Sequence, residues 1–142
     1  MRLRAISVPF VFVMLFCGTD TAAADPPDSS LKTKVATTIQ KAADASTFLV
    51  QMLDAVSTQR VLQAGGRELN PLLRPFVGNE PLWYGFKSVS AAAYVLAEHS
   101  LGRRHKFLAI GTTLAINGVY FAVARHNFGV AAQLRAQQAA QR

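Results

Sequence analysis

The stretch FLAIGTTLAINGVYFAVA, residues 107–124, decides the fold. It runs 18 residues without a charged side chain. At 1.5 Å per residue that is about 27 Å of helix, close to the thickness of a bilayer's hydrocarbon core. Its polar residues, Thr113, Asn117 and Tyr120, line one helical face. The opposite face carries Gly111, Ala115, Gly118 and Ala122, side chains small enough to let another helix approach closely. The spacing predicts a transmembrane helix with a hydrogen-bonding face and a close-packing seam.

Two further apolar segments precede it. LWYGFKSVSAAAYVLAEHSL, residues 82–101, is long enough to span. Trp83 and Tyr84 suit an interface belt at its start, and Lys87 and Glu98 lie near its ends, where long side chains can snorkel. STFLVQMLDAVSTQRVLQA, residues 46–64, is more polar. Its large apolar side chains each favour insertion by about 0.3 to 0.6 kcal/mol, while Asp54 alone opposes it by about 2.5 to 3.5. The sum is near zero, so this segment spans only if its neighbours satisfy Asp54. No β-alternation of any length occurs, and the fold class expected is all-α: a small membrane bundle of about three transmembrane helices.

The polar residues keep helical period in all three segments. Thr47, Gln51, Asp54 and Thr58 share one stripe, and Lys87, Ser90, Tyr94 and Glu98 share another. Three stripes facing inward fit a bundle. In an up-down-up arrangement with residue 64 level with 82 and 101 level with 107, Asp54 and Asn117 fall at one height. Lys87 lies about 7.5 Å from it. Asp54 is therefore expected to find an amide partner and within reach a cation.

Residues 1–24 have a basic start at Arg2 and Arg4, an apolar run and the small residues Ala22 to Ala24. This layout predicts a signal peptide cleaved after Ala24, with an uncleaved anchor as the alternative. Phe16 argues against a lipid anchor on Cys17. Cys17 is the sole cysteine, so the mature chain has no disulfide. DPPDSS is a linker, and from Ser30 an amphipathic helix runs to about residue 45. The formal charge of +7 is scattered along apolar helices, which points to anionic lipid and membrane orientation and away from nucleic acid. The tail from 128 to 142, rich in Ala and Gln, is expected to prolong the last helix into water.

Between the first two segments lies GRELNPLLRP, residues 66–75. Gly65 and Gly66 end a helix, while Asn70 as N-cap and Pro71 at the first position start a short one over PLLRPFV. Glu68 is free to cap the same backbone or to pair with Arg67, Arg74 or Lys87. Taken with the residues around it, this order resembles a family of small prokaryotic integral membrane proteins of unknown function. The resemblance covers about residues 46–127. It rests on Asp54 and Thr58 as D-x3-T, then Gly66, Glu68, Asn70 and Pro71 in G-x-E-x-N-P-L, then Lys87 and Asn117. It implies a small helical domain in a bacterial inner membrane and names no reaction. The export leader and the polar first segment with Arg60 depart from the family pattern.

Other chemistry has little in its favour. His99, His105 and His126 lie without ligand spacing, so no metal is expected, and no cofactor motif or nucleophile elbow occurs. The leading expectation is a non-enzymatic membrane module packing with itself or with a membrane-protein partner through the seam. In it Asp54, Thr58, Glu68, Asn70, Lys87, Tyr94 and Asn117 form a polar network. The first alternative is a transporter or ion-coupling subunit using Asp54 and Lys87, since an ionisable group within a membrane is a functional candidate. The second is an intramembrane enzyme with Asp54 and Glu68 as acid and base. Three spans satisfy the polar stripes. Two spans, with residues 46–64 folded at the outer surface, better satisfy the positive-inside tendency of GRRHK at 102–106.

Overall fold

The computed structural model describes residues 30–103 and 105–142, with side chains from residue 34 onward. The expected signal peptide and most of the linker lie outside the described residues. Those residues form four helices and no strand: α1 (Ser30–Gln63), α2 (Arg74–Val77), α3 (Glu80–Gly102) and α4 (Lys106–Ala140). α1 runs unbroken through residue 45, the expected end of the amphipathic helix. KAADAST between the two parts offers neither Gly nor Pro to interrupt it. α4 continues to Ala140, so the Ala- and Gln-rich tail prolongs the last helix.

The three long helices pack up, down and up. Asn117 meets Ser46 and Thr47, and Asn127 meets Ser57 and Thr58, so α4 runs parallel to α1 at a constant offset. α3 runs antiparallel to both, since Lys87 meets Asp54 while Glu98 meets Gln40.

The turn after α1 follows from two glycines. Gly65 has φ of +80°, the left-handed region open to glycine. Its N–H bonds Leu62 O, and the Gly66 N–H reaches back to Val61 O at 2.9 Å, the paired bonds of a Schellman ending. A Cβ on Gly66 lies 2.4 Å from Val61 Cγ1 and 2.9 Å from the Val61 carbonyl oxygen, so nothing larger fits. Gln138 of α4 donates to Ala64 O at 3.1 Å and satisfies one more orphan carbonyl at this end.

The short helix begins later than the Asn-Pro pair suggests. The Asn70 side chain does accept from the Leu72 N–H at 3.0 Å, but residues 71–73 form a turn and α2 starts at Arg74. The physical reason is that Asn70 closes a tight turn on itself, with the Leu73 N–H also bonded to its carbonyl. The turn and α2 then pack Leu73 and Val77 against Ala55 and Trp83, and Gln59 of α1 donates to Val77 O at 2.9 Å. α3 opens cleanly: Asn79 accepts from the Leu82 N–H, and Pro81 sits in the first turn.

Burial is inverted along most of the bundle. Thr47, Gln51, Asp54, Thr58, Lys87, Thr113 and Asn117 are buried, while Leu49, Val89, Leu96, Leu114, Val119 and Phe107 face outward. Beyond residue 124 the usual order returns, Asn127 excepted. Val61, Ala64, Val130 and Ala131 form an apolar core there with Leu134, and Arg125, His126 and Arg135 lie outside. Along the apolar outer face the interior holds the buried polar side chains beside small and aromatic ones such as Ala55, Ala91, Ala109 and Trp83.

Candidate functional site in the bundle interior

α1 and α3 each deliver one charge to the centre. Lys87 Nζ lies 2.6 Å from Asp54 Oδ2, with side-chain exposures of 3% and 0%. The same ammonium is 3.5 Å from Gln51 Oε1. It also stands 4.9 Å from the Trp83 ring centroid and 5.1 Å from that of Tyr120, so two aromatic faces complete its surroundings. Trp83 is fixed in turn by its indole N–H, which donates to Ala55 O at 3.2 Å. Each element contributes by period: Gln51 and Asp54 lie one turn apart on α1, and Trp83 and Lys87 one turn apart on α3.

An unpaired charge in such surroundings is strongly unfavourable, and here each charge has the other. Asp54 Oδ1, by contrast, has no hydrogen-bond partner among the described residues.

Asn117 does not join this pair. Its Nδ2 donates to Ser46 Oγ at 2.7 Å, and its Oδ1 accepts from Thr47 Oγ1 at 3.2 Å. Thr47 is seven residues before Asp54, so the amide sits about 10 Å along α1 from the expected meeting point. The cause is the connection between helices. Residues 67–78 fold back alongside the end of α1, and α1 slides by about five residues relative to α3. Lys87, expected at a distance from the level of Asp54, is instead level with it.

The other expected residues divide clearly. Thr58 is buried beside Asn127 Nδ2 at 3.5 Å, and the Tyr94 hydroxyl shares a hydrogen bond of 3.1 Å with Thr113 Oγ1. Glu68 is buried and caps the turn: its Oε1 accepts from the Asn70 N–H at 2.8 Å, and its backbone carbonyl accepts from Arg74 Nε at 3.2 Å. Glu68 and Asn70 therefore shape the turn of the GRELNP stretch. Gly111, Ala115, Gly118 and Ala122 all lie exposed on the outer side of α4, and a Cβ at Gly111 or Gly118 meets nothing within 4 Å. Among the described residues nothing packs against Gly111 or Gly118 of the seam.

Sequence reading missed Asn127 and Trp83 as members of the interior. Asn127 was within reach, because Thr113, Asn117, Tyr120, Ala124 and Asn127 keep one helical face. The apolar count stopped at residue 124, and the stripe did not. Trp83, read as an interface residue, is fully buried beneath α2 and against Lys87.

By length and composition α4 is the one described helix apolar enough to cross a membrane, and only 28% of that apolar window is buried in the fold. The core helix of a water-soluble bundle is mostly buried; this one is mostly bare. Compared with protein-family models, with curated proteins and with solved structures, the chain matches none.

Proposed function

We propose that this chain is a small, non-enzymatic integral membrane module of a bacterial inner membrane. In this reading α1, α3 and α4 all cross the bilayer, and the Asp54–Lys87 pair fastens α1 to α3. The outer seam of α4 stays free to pack against a second copy or another membrane protein. The observation that carries the reading is the inverted burial. Leu49 on α1 is 70% exposed and Leu96 on α3 is 71% exposed, while Asp54 and Lys87 are sealed inside. In water each exposed side chain of that size forgoes about 1.5 to 3 kcal/mol of burial, and the buried charges add a further cost. Lipid removes the first cost, and polar contacts between helices then serve as glue.

Residues 46–64 are the least apolar of the three segments. Their support comes from the partners they need: Asp54 is paired, and Thr47, Ser57 and Thr58 bond α4. Single cysteines at Thr37, Arg67, His105 and Arg142 test the topology by labelling from one side in spheroplasts, with Cys17 replaced. Three spans place Arg67 and Arg142 on one side and Thr37 and His105 on the other. Labelling of Thr37 and Arg67 from the same side overturns the third span.

The bare Asp54 Oδ1 favours a second reading, an ion-coupling or transport role for Asp54 and Lys87. Asp54→Asn separates the two. A folded variant with wild-type behaviour supports the fastener, and a folded variant that loses function supports ion coupling.

A further inference from the structure

We infer that Asp44, Glu98 and His99 form a binding site for one divalent transition-metal cation, Zn2+ by preference, bridging α1 and α3 at the end where α3 finishes. The ligand atoms of the three side chains all lie within 4.8 Å of one another. Asp44 comes from α1 and the other two from the last turns of α3, so an ion there ties two helices together.

Proximity of acidic groups alone says little. The decisive feature is Glu98, 4% exposed, whose Oε1 has no hydrogen-bond partner among the described residues. A buried carboxylate oxygen left bare is costly unless a cation faces it. Its other oxygen accepts from Gln40 Nε2, and the same amide nitrogen lies 3.2 Å from Asp44 Oδ1. One neutral amide thus stands between two carboxylates. Asp44 Oδ2 is 2.8 Å from His99 Nε2, and the described residues pair neither carboxylate with a lysine or arginine.

The donor set selects the class of ion. One imidazole nitrogen and two carboxylate oxygens suit Zn2+ or a neighbouring transition ion better than Mg2+ or Ca2+, which take oxygen alone. Tetrahedral Zn2+ at its usual bond lengths holds its ligand atoms about 3.4 Å apart. The 2.8 Å between Asp44 and His99 must open and any wider separation close to reach that spacing, and their side chains, 20% and 50% exposed, have room to turn. That exposure also admits the ion from water and leaves a fourth position for a water molecule. The C-terminal end of α3 adds a favourable negative dipole.

The test uses the full chain, free of any histidine tag, in detergent micelles, titrated with Zn2+ alone by calorimetry near neutral pH. We expect one ion per chain with micromolar affinity and a rise in thermal midpoint on adding Zn2+. Glu98→Gln keeps the bond to Gln40 and should weaken binding by about a hundredfold or more, since even outer-shell changes at metal sites cost about 10–100-fold. His99→Ala, at a half-exposed position, should melt as the wild type does without Zn2+ yet show no rise with it. His105→Ala and His126→Ala should bind normally. Wild-type affinity in Glu98→Gln and His99→Ala, or loss of binding in the His105 or His126 variant instead, overturns the site. Absence of stoichiometric binding overturns it too, and leaves the membrane reading where it stood.

Discussion

Replacing Asp54 by Leu strands Lys87 among apolar and aromatic groups. Removing one member of a buried ion pair typically costs about 3 to 5 kcal/mol. An ordinary hydrogen bond between membrane helices is worth much less, about 0.6 kcal/mol on average and about 1.7 at most. The two figures discriminate between an ion pair that seals the bundle and one polar contact among many. Lys87 keeps Gln51 and the rings of Trp83 and Tyr120 in the variant, which places the expected loss near 3 kcal/mol. Asp54→Asn retains an oxygen to accept from Lys87 and should lose about half as much. The double variant Asp54→Leu with Lys87→Met removes both charges and should recover most of the stability, because paired replacement by apolar groups is often neutral. Reversible unfolding in mixed micelles measures all four corners of the cycle. A coupling above about 2 kcal/mol agrees with the sealed pair; singles that each lose under about 0.5 kcal/mol, or losses that simply add, refute it.

Gly66→Ala should destabilise by about 2 kcal/mol or more, because its Cβ meets the Val61 side chain and carbonyl, and the same unfolding assay reads it. Gly118→Leu should leave that stability unchanged, since the position opens outward, yet weaken cross-linked higher bands in detergent if the seam is the assembly face. Asn117→Leu should cost about 0.6 to 1.7 kcal/mol, the range for interhelical hydrogen bonds, with no coupling to Lys87→Met given its distance from the pair.

Helical periodicity made the interior legible: the stripes holding Gln51, Asp54, Lys87, Tyr94, Thr113 and Asn117 all point inward, and the seam on α4 points out. Register was not legible, because it depends on how the chain folds between Gly65 and Asn79. That connection contains a Schellman ending, an Asn70 turn and α2 laid against Trp83, and no periodicity encodes the sum of their displacements. A slide of about five residues gave Asp54 its lysine in place of Asn117. Glu68, whose role was open from sequence, accepts from a backbone N–H two residues away and so shapes the turn. The grouping of Asp44 with Glu98 and His99 stayed hidden for the same reason as the register. Spacing searches see ligands close in sequence, and these lie on different helices.

In the proposed membrane reading lipid covers the outer faces of all three long helices, α1 included. Leu49 on α1, Val89 on α3 and Val119 on α4 share one level by the observed register, and all three are more than half exposed. A spin label at each position in turn, in reconstituted vesicles, reports its relaxation by oxygen, which concentrates in lipid, against a nickel chelate confined to water. Lipid at all three positions gives high oxygen and low chelate accessibility at each, with Leu49 indistinguishable from Val119. High chelate accessibility at Leu49 contradicts that reading, and leaves α1 in water with its aspartate.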